Sequence, residues 1–235
     1  MKNSKYLVKS LFTMCIFLPS INYSWAAGMV PQSSVVIIEG DSGEVSVEIK
    51  NTDNFPNLLI TKIEDIEEDK EEIITAFPPV SRVEGDDTQT VRFIITNSKL
   101  IKTERLKRVI FEGVPPKNKE LDKEVNVTFT QNLPVIIRPA GLAKNLTPWT
   151  GLKWEVVGKK IVVSNPSPYV VRFISPTIEL LPGNQKLNLP KSYILPNQKF
   201  MIDGEGIIKS GHDTFRFFPA TTWGFSSGEH YDAKI

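Results

Sequence analysis

Residues 125–139 read VNVTFTQNLPVIIRP. The odd positions, Val125, Val127, Phe129, Gln131, Leu133, Val135 and Ile137, are apolar except for Gln131. The even positions, Asn126, Thr128, Thr130, Asn132, Pro134, Ile136 and Arg138, are mostly polar. A period of two predicts a β-strand with one buried face. Pro134 cannot donate to a ladder, so it predicts an edge or a bulge. Long apolar edges are normally blunted, because they invite pairing with other chains. Two uses of this row are open. It packs into its own core, or it is an edge kept for a partner.

Outward from this stretch the chain reads as β almost throughout. VVIIEG (35–40) and EVSVEIKN (44–51) flank a turn at Gly40-Asp41-Ser42-Gly43. LLITKI (58–63), TVRFIITN (90–97) and KRVIFEGV (107–114) continue the series. The acidic run Glu64 to Glu72 is expected to be a solvated hairpin tip, as runs of one charge usually are. Beyond Pro139 the alternation stops, and AGLAKNLTPW (140–149) predicts a domain boundary near 140–146. A second series follows: LKWEVVG (152–158), KIVVSN (160–165), YVVRFIS (169–175), TIELLPG, KLNLP and FRFFPATTWGF (215–225). Short strands separated by Gly, Pro, Asn and Asp predict an all-β chain of sandwiches. No short repeat is visible.

The start of the chain has the form of an export signal. Lys2, Lys5 and Lys9 precede a short apolar run from Leu11 to Leu18, and Ser24-Trp25-Ala26 fits cleavage after Ala26. The run is too short to span a bilayer, so no stable membrane insertion is expected. Removing residues 1–26 takes away three lysines and leaves 25 basic and 27 acidic residues, a net charge of −2. That balance argues against a nucleic-acid partner. The only cysteine, Cys15, lies in the signal, so the remainder forms no disulfide and must rely on its apolar cores.

Signs of catalysis are missing. His212 and His230 have no nucleophile motif beside them, and no zinc, dinucleotide or phosphate-loop motif occurs. Asp86-Asp87 and Glu67-Glu68 lie in turn-like segments where solvation accounts for them. The expectation is a binding protein, not an enzyme, with no cofactor and no metal.

At PPVSRVEGDDTQTVRF (78–93) the chain begins to resemble the periplasmic pilus chaperones of the PapD type. The resemblance extends through TERLKRVIFEGVPPK (103–117), the Ile-Arg-Pro that ends the opening stretch, SNPSPYVVRF (164–173) and PATTWG (219–224). It covers almost the whole chain after Ala26. It implies two immunoglobulin-like sandwiches set at an angle with a cleft between them, residues 27–143 and 144–235 here. It also implies a periplasmic location, pilus subunits (pilins and adhesin) as clients and an outer-membrane usher as the receiving partner. In this family the last strand of the first domain fills the groove of an incomplete subunit by β-strand addition. The matching row is Val125, Val127 and Phe129, with Leu133 further on. The short link between Phe111 and Val125 resembles the short-loop branch of the family. A free chaperone could cap its own donor edge by dimerising. The alternative from another class is a secreted two-domain adhesin or structural pilus component.

The chain departs from the family in its cleft. The family's two basic residues there grip the subunit's terminal carboxylate, and their places hold Ser34 and Pro134. Arg172 stands where the family commonly has a threonine facing the cleft. It is the candidate carboxylate anchor, with Ser34 beside it, since a guanidinium can hold a carboxylate through two parallel hydrogen bonds. The resemblance also implies an interdomain pair of Glu104 with Arg138. The aspartate that completes this network in the family falls near Thr222, so the network is expected to shrink to that pair. An isolated pair predicts that exchanging its two charges together restores what either change alone loses.

Overall fold

The computed structural model describes residues 28–116, 130–204, 214–221 and 228–234. Val125, Val127, Phe129, Thr222, His212 and residues 1–26, expected to be an export signal, lie outside them. In the first domain the described strands are β1 (Met29–Pro31), β2 (Val36–Glu39), β3 (Glu44–Asn51), β4 (Asn57–Glu64), β5 (Ile74–Phe77), β6 (Val80–Val83), β7 (Thr88–Ile95), β8 (Arg105–Val114) and β9 (Thr130–Arg138). In the second they are β10 (Lys153–Val157), β11 (Lys160–Ser164), β12 (Val171–Arg172), β13 (Thr177–Leu181), β14 (Gln185–Asn188), β15 (Tyr193–Ile194), β16 (Lys199–Asp203), β17 (Thr214–Phe217) and β18 (Tyr231–Lys234).

The first sandwich packs a sheet ordered β1-β3-β7-β5 on a sheet ordered β2-β9-β8-β4-β6. The alternation in the sequence sets the faces: Val47 and Ile49 of β3, Val91 and Phe93 of β7, and Val109 and Phe111 of β8 all point inward. Phe93 meets Phe111 edge to face across the core, with centroids 6.2 Å apart. Such a pair contributes about 0.5–1.5 kcal/mol beyond its buried area. β9 runs antiparallel to β8 and parallel to β2. Its odd residues Val135 and Ile137 are buried in this core and Leu133 packs partly against it. At the end of β2, Gly40 lies so close to β9 that a Cβ there would sit 2.4 Å from the Ala140 nitrogen and 2.6 Å from the Arg138 oxygen.

The second sandwich has sheets β10-β11-β16 and β14-β13-β17-β18, with β12–β15 as a separate pair. Trp154 stacks on Phe215 and Phe217 at 4.8 and 5.6 Å. YVVRFIS forms strand only at Val171–Arg172, because Asn165 closes the preceding residues into a turn. Its side-chain amide donates to the carbonyls of Tyr169, Ile194 and Leu195, and its oxygen accepts the Ser167 N–H. The first domain holds the same device. Asn51 donates to the carbonyls of Phe55, Val83 and Glu84, and its oxygen accepts the Asp53 N–H. In both, the amide reaches the carbonyl four residues on and two successive carbonyls of a facing segment. This is a structural repeat that the letters of the sequence hide.

The acidic run departs from expectation. It folds into a tight hairpin closed by an Ile66–Asp69 bridge, but it is not simply solvated. Asp69 is held by Arg105 at 2.6 Å and Lys107 at 2.9 Å. Ile66 is buried with Val35, Leu106 and Ile136 of the first domain and Val170 of the second. Glu68 accepts from Lys191 at 2.6 Å, Tyr193 at 3.0 Å and Gln198 at 3.3 Å, and Glu67 accepts from Lys191 at 2.8 Å. The run is thus a strut from the first domain to the second, driven there by the one apolar residue at its tip. Desolvation pushes the Glu68 carboxyl up, and the bonds from Lys191, Tyr193 and Gln198 together outweigh it, leaving it below its ordinary 4.5. A lowered carboxylate stabilises above its unfolded value and loses that contribution as the pH falls through the lowered one. Glu68→Lys is therefore expected to loosen the joint by about 1 kcal/mol, and Glu68→Lys with Lys191→Glu to recover most of it. Small-angle scattering reads this as a rise, then a restoration, of the radius of gyration. No rise in the single variant would argue against the strut.

Candidate functional site: the cleft between the domains

Two clusters line the space between the sandwiches. The first centres on Arg138, buried at the end of β9. Its Nε donates to Glu104 Oε1 at 2.9 Å, and Nη1 donates to both oxygens of Glu39 at 2.8 and 3.0 Å. Glu104 uses its other oxygen to accept the Val170 N–H at 2.9 Å, and its own N–H donates to the Pro168 carbonyl at 2.8 Å. One side chain from the loop before β8 therefore binds the second domain and β9 together. The network is larger than a pair, because Glu39 at the end of β2 joins it and Lys144 reaches Glu39 at 3.2 Å. Burial pushes the Glu104 carboxyl above its usual range, more than Val170 and Arg138 pull it down.

The second cluster is a cavity of about 220 Å³ whose lining includes Ser34, Arg108, Pro134, Arg172, Ile174 and Tyr193. It brings together Ser34, Pro134 and Arg172, which lie far apart in the chain. Arg172 is positioned by the segment after β17: its carbonyl accepts the Ala220 N–H and its Nη2 donates to the Thr221 carbonyl, both at 2.9 Å. Burial pulls its guanidinium down to about 10, the charge of Arg108 adds to this, and Glu104 opposes it.

Arg108 escaped the sequence reading. It sits in KRVIFEGV as one polar position of an alternating strand, with nothing local to mark it. The β8–β9 register sets it directly across from Pro134. Its Nε and Nη2 donate to the side-chain and main-chain oxygens of Asn132, both at 2.7 Å. Burial lowers its pKa, while Tyr193 and Glu64 oppose the shift. Pairing KRVIFEGV with TQNLPVIIR by register would have found it.

Comparisons with known proteins decide the family. Residues 28–143 match the pili and flagellar-assembly chaperone family, PapD N-terminal domain. Residues 147–223 match the pili assembly chaperone PapD, C-terminal domain. The chain belongs to the PapD-like pilus assembly chaperones. It is 36% identical over 220 residues to the uncharacterized fimbrial chaperone YhcA of Escherichia coli K12, covering 93% of this chain and 96% of that one. It is 26% identical over 197 residues to the chaperone protein caf1M of Yersinia pestis, covering 75% and 74%. In fold it resembles the SafB chaperone solved with the SafA pilin of Salmonella enterica, with a TM-score of 0.71 at 18% identity over 90% of this chain and 98% of that one. Among PapD-like chaperones it resembles the YadV chaperone similarly, with a TM-score of 0.70 at 23% identity over 88% and 99%.

Proposed function

We propose that this PapD-like chaperone works in the periplasm, reached through a signal cleaved after Ala26, and lends a strand of its first domain to pilus subunits. The observation that carries this is family membership across both domains, joined to the phase of β9. Leu133, Val135 and Ile137 face the core, and in the sequence Val125, Val127 and Phe129 share their odd phase. Backbone pairing would supply affinity and the row would fill the subunit's groove. Leu133 is half-buried in its own sandwich, so its contribution lies at the root of the row. Arg172, with Ser34 nearby, holds the terminal carboxylate of the subunit. The loaded chaperone hands its subunit to an outer-membrane usher, and the free protein caps its own edge as a dimer. The domain limits follow as 27–143 and 144–235.

The test is co-purification from periplasm with subunits encoded alongside the chaperone. Phe129→Glu places a charge in a groove meant for apolar side chains. It is expected to abolish the complex while circular dichroism stays that of the wild type. A complex recovered at wild-type yield would rule out strand donation through this row.

A further inference from the structure

We propose that the open side of the first sandwich, between β4 and β5, binds a small organic cation: an ammonium group carried on an apolar stem. This site is separate from the β9 edge, because β8 stands between β9 and β4. The fold leaves room for it. β5 is the edge of one sheet, and in the other sheet β6 pairs with β4 only from Asn57 to Ile60. Beyond Ile60 no described strand lies on that side of β4. The gap between the sheets is a cavity of about 600 Å³, half open to solvent and lined about equally by polar and apolar surface. Its volume is that of a small-molecule site.

A buried hydroxyl marks the floor. Thr61 stands in the inward phase of β4, between Leu59 and Ile63, and lines the cavity. It is only 6% exposed, and its Oγ1 has no hydrogen-bond partner among the described residues. Its N–H donates to the Pro79 carbonyl at 2.8 Å, so the side chain alone is left over. A buried hydroxyl without a partner costs free energy. Valine has the same shape without that cost, so a threonine here points to a ligand that the hydroxyl meets.

The charges set the sign of that ligand. Five charged side chains line the cavity: Lys62, Asp65, Glu71, Glu72 and Lys107. Lys107 Nζ donates to Asp65 Oδ1 at 2.6 Å, to the Asp69 carbonyl at 2.8 Å and to Asp69 Oδ1 at 2.9 Å. Those three bonds engage all the hydrogens of its ammonium group. Lys62 is turned to Glu64 at 3.2 Å. Among the carboxylates, Asp65 shares Lys107, Glu71 pairs with Arg105 at 2.9 Å, and Glu72 is exposed. A carboxylate has about four acceptor sites, so the lining is rich in acceptors and short of free donors. A cation that brings its own N–H donors fits this; an anion does not. Ile63, Ile73, Ile74, Ala76 and Pro79 supply the apolar wall for a stem. Asp65 lies on one limb of the acidic hairpin and Glu71 and Glu72 on the other, so the ligand sits at the hairpin's root.

The experiment uses the mature full-length protein with n-hexylammonium as the probe. 1-Hexanol, which lacks the charge, and methylammonium, which lacks the stem, are the controls. Carbon-13 methyl spectra follow Thr61, Ile63 and Ile74, with Ile161 in the second core as a distant reference. The first three signals are expected to move saturably with n-hexylammonium while Ile161 stays still. Each control is expected to bind about tenfold more weakly, or less. Thr61→Val is expected to weaken n-hexylammonium about tenfold, as loss of a hydrogen bond to a charged group does, while its urea midpoint stays at or above that of the wild type. Glu72→Gln, an exposed change, is expected to weaken it about threefold. No saturable movement, or equal binding of either control, would overturn the site. So would unchanged binding in Thr61→Val, which would leave the hydroxyl as a space-filler that water satisfies, or in Glu72→Gln.

Discussion

Arg138→Ala is expected to destabilise the protein by about 3–5 kcal/mol at neutral pH, the usual cost of removing one partner from a buried ion pair. Arg138 and Glu104 are both nearly inaccessible, at 3% and 4% exposure. Without the guanidinium, Glu104 keeps only the Val170 N–H, whereas Glu39 is exposed enough to turn to water. The effect has a pH signature. Burial already raises the Glu104 carboxyl above its unfolded 4.5, and losing Arg138 raises it further. A raised carboxyl favours the folded state below the unfolded value and loses that contribution as the pH rises through the folded one. The deficit of Arg138→Ala should therefore shrink on acidification toward pH 4.5 and widen toward neutrality. Urea titrations at several pH values read it directly. A pH-independent deficit would mean that lost packing, not a stranded carboxylate, is the cause. Exchanging the charges of Glu104 and Arg138 is not expected to rescue, because an arginine at 104 has no acceptor for the Val170 N–H. Arg138→Met with Glu104→Gln should recover most of the loss, since it removes both charges.

Asn165→Ala is expected to cost about 3–5 kcal/mol. The side chain is fully buried and donates to three carbonyls; the Leu195 one also accepts the Gln198 N–H, so alanine leaves at most two of them without a donor. Each such group costs about 1–3 kcal/mol, with some relief as the turn admits water. Every tryptophan after Trp25 lies beyond residue 143, so tryptophan fluorescence reports the second sandwich alone. The fluorescence midpoint in urea should fall sharply in Asn165→Ala. In Asn51→Ala the loss should appear mainly by circular dichroism, with the fluorescence midpoint nearly in place. Equal fluorescence shifts in the two variants would show that the sandwiches unfold as one unit, tied by the Glu104 and Glu68 contacts.

Much of the fold could be read from alternation. β3, β4, β7 and β8 are each eight or ten residues long and carry the period cleanly. β5, β6, β15 and β18 could not, having four residues or fewer. β18 has a single buried residue, Ala233. The make-up of the cleft was legible where one residue could be matched on its own: Arg172, Glu104 and Arg138 do lie together there. It was illegible where a residue's place is set by strand pairing. Glu39 looks like a strand end until β2 lies beside β9, and Arg108 looks like a solvent-facing arginine until β8 lies beside Pro134. The acidic hairpin misled for a related reason: its charges were visible, but the buried Ile66 that docks them is one letter in nine.

The near-contact of Gly40 with the backbone of Arg138 and Ala140 acts as an end stop. A side chain there would push the two parallel strands apart or make them slide by a step. Sliding by one residue turns every side chain of a strand to the opposite face. A position with no side chain at all therefore keys the phase of β9 between its two neighbours, holding Leu133 inward and Arg138 against Glu104, much as a notch fixes the angle of a shaft.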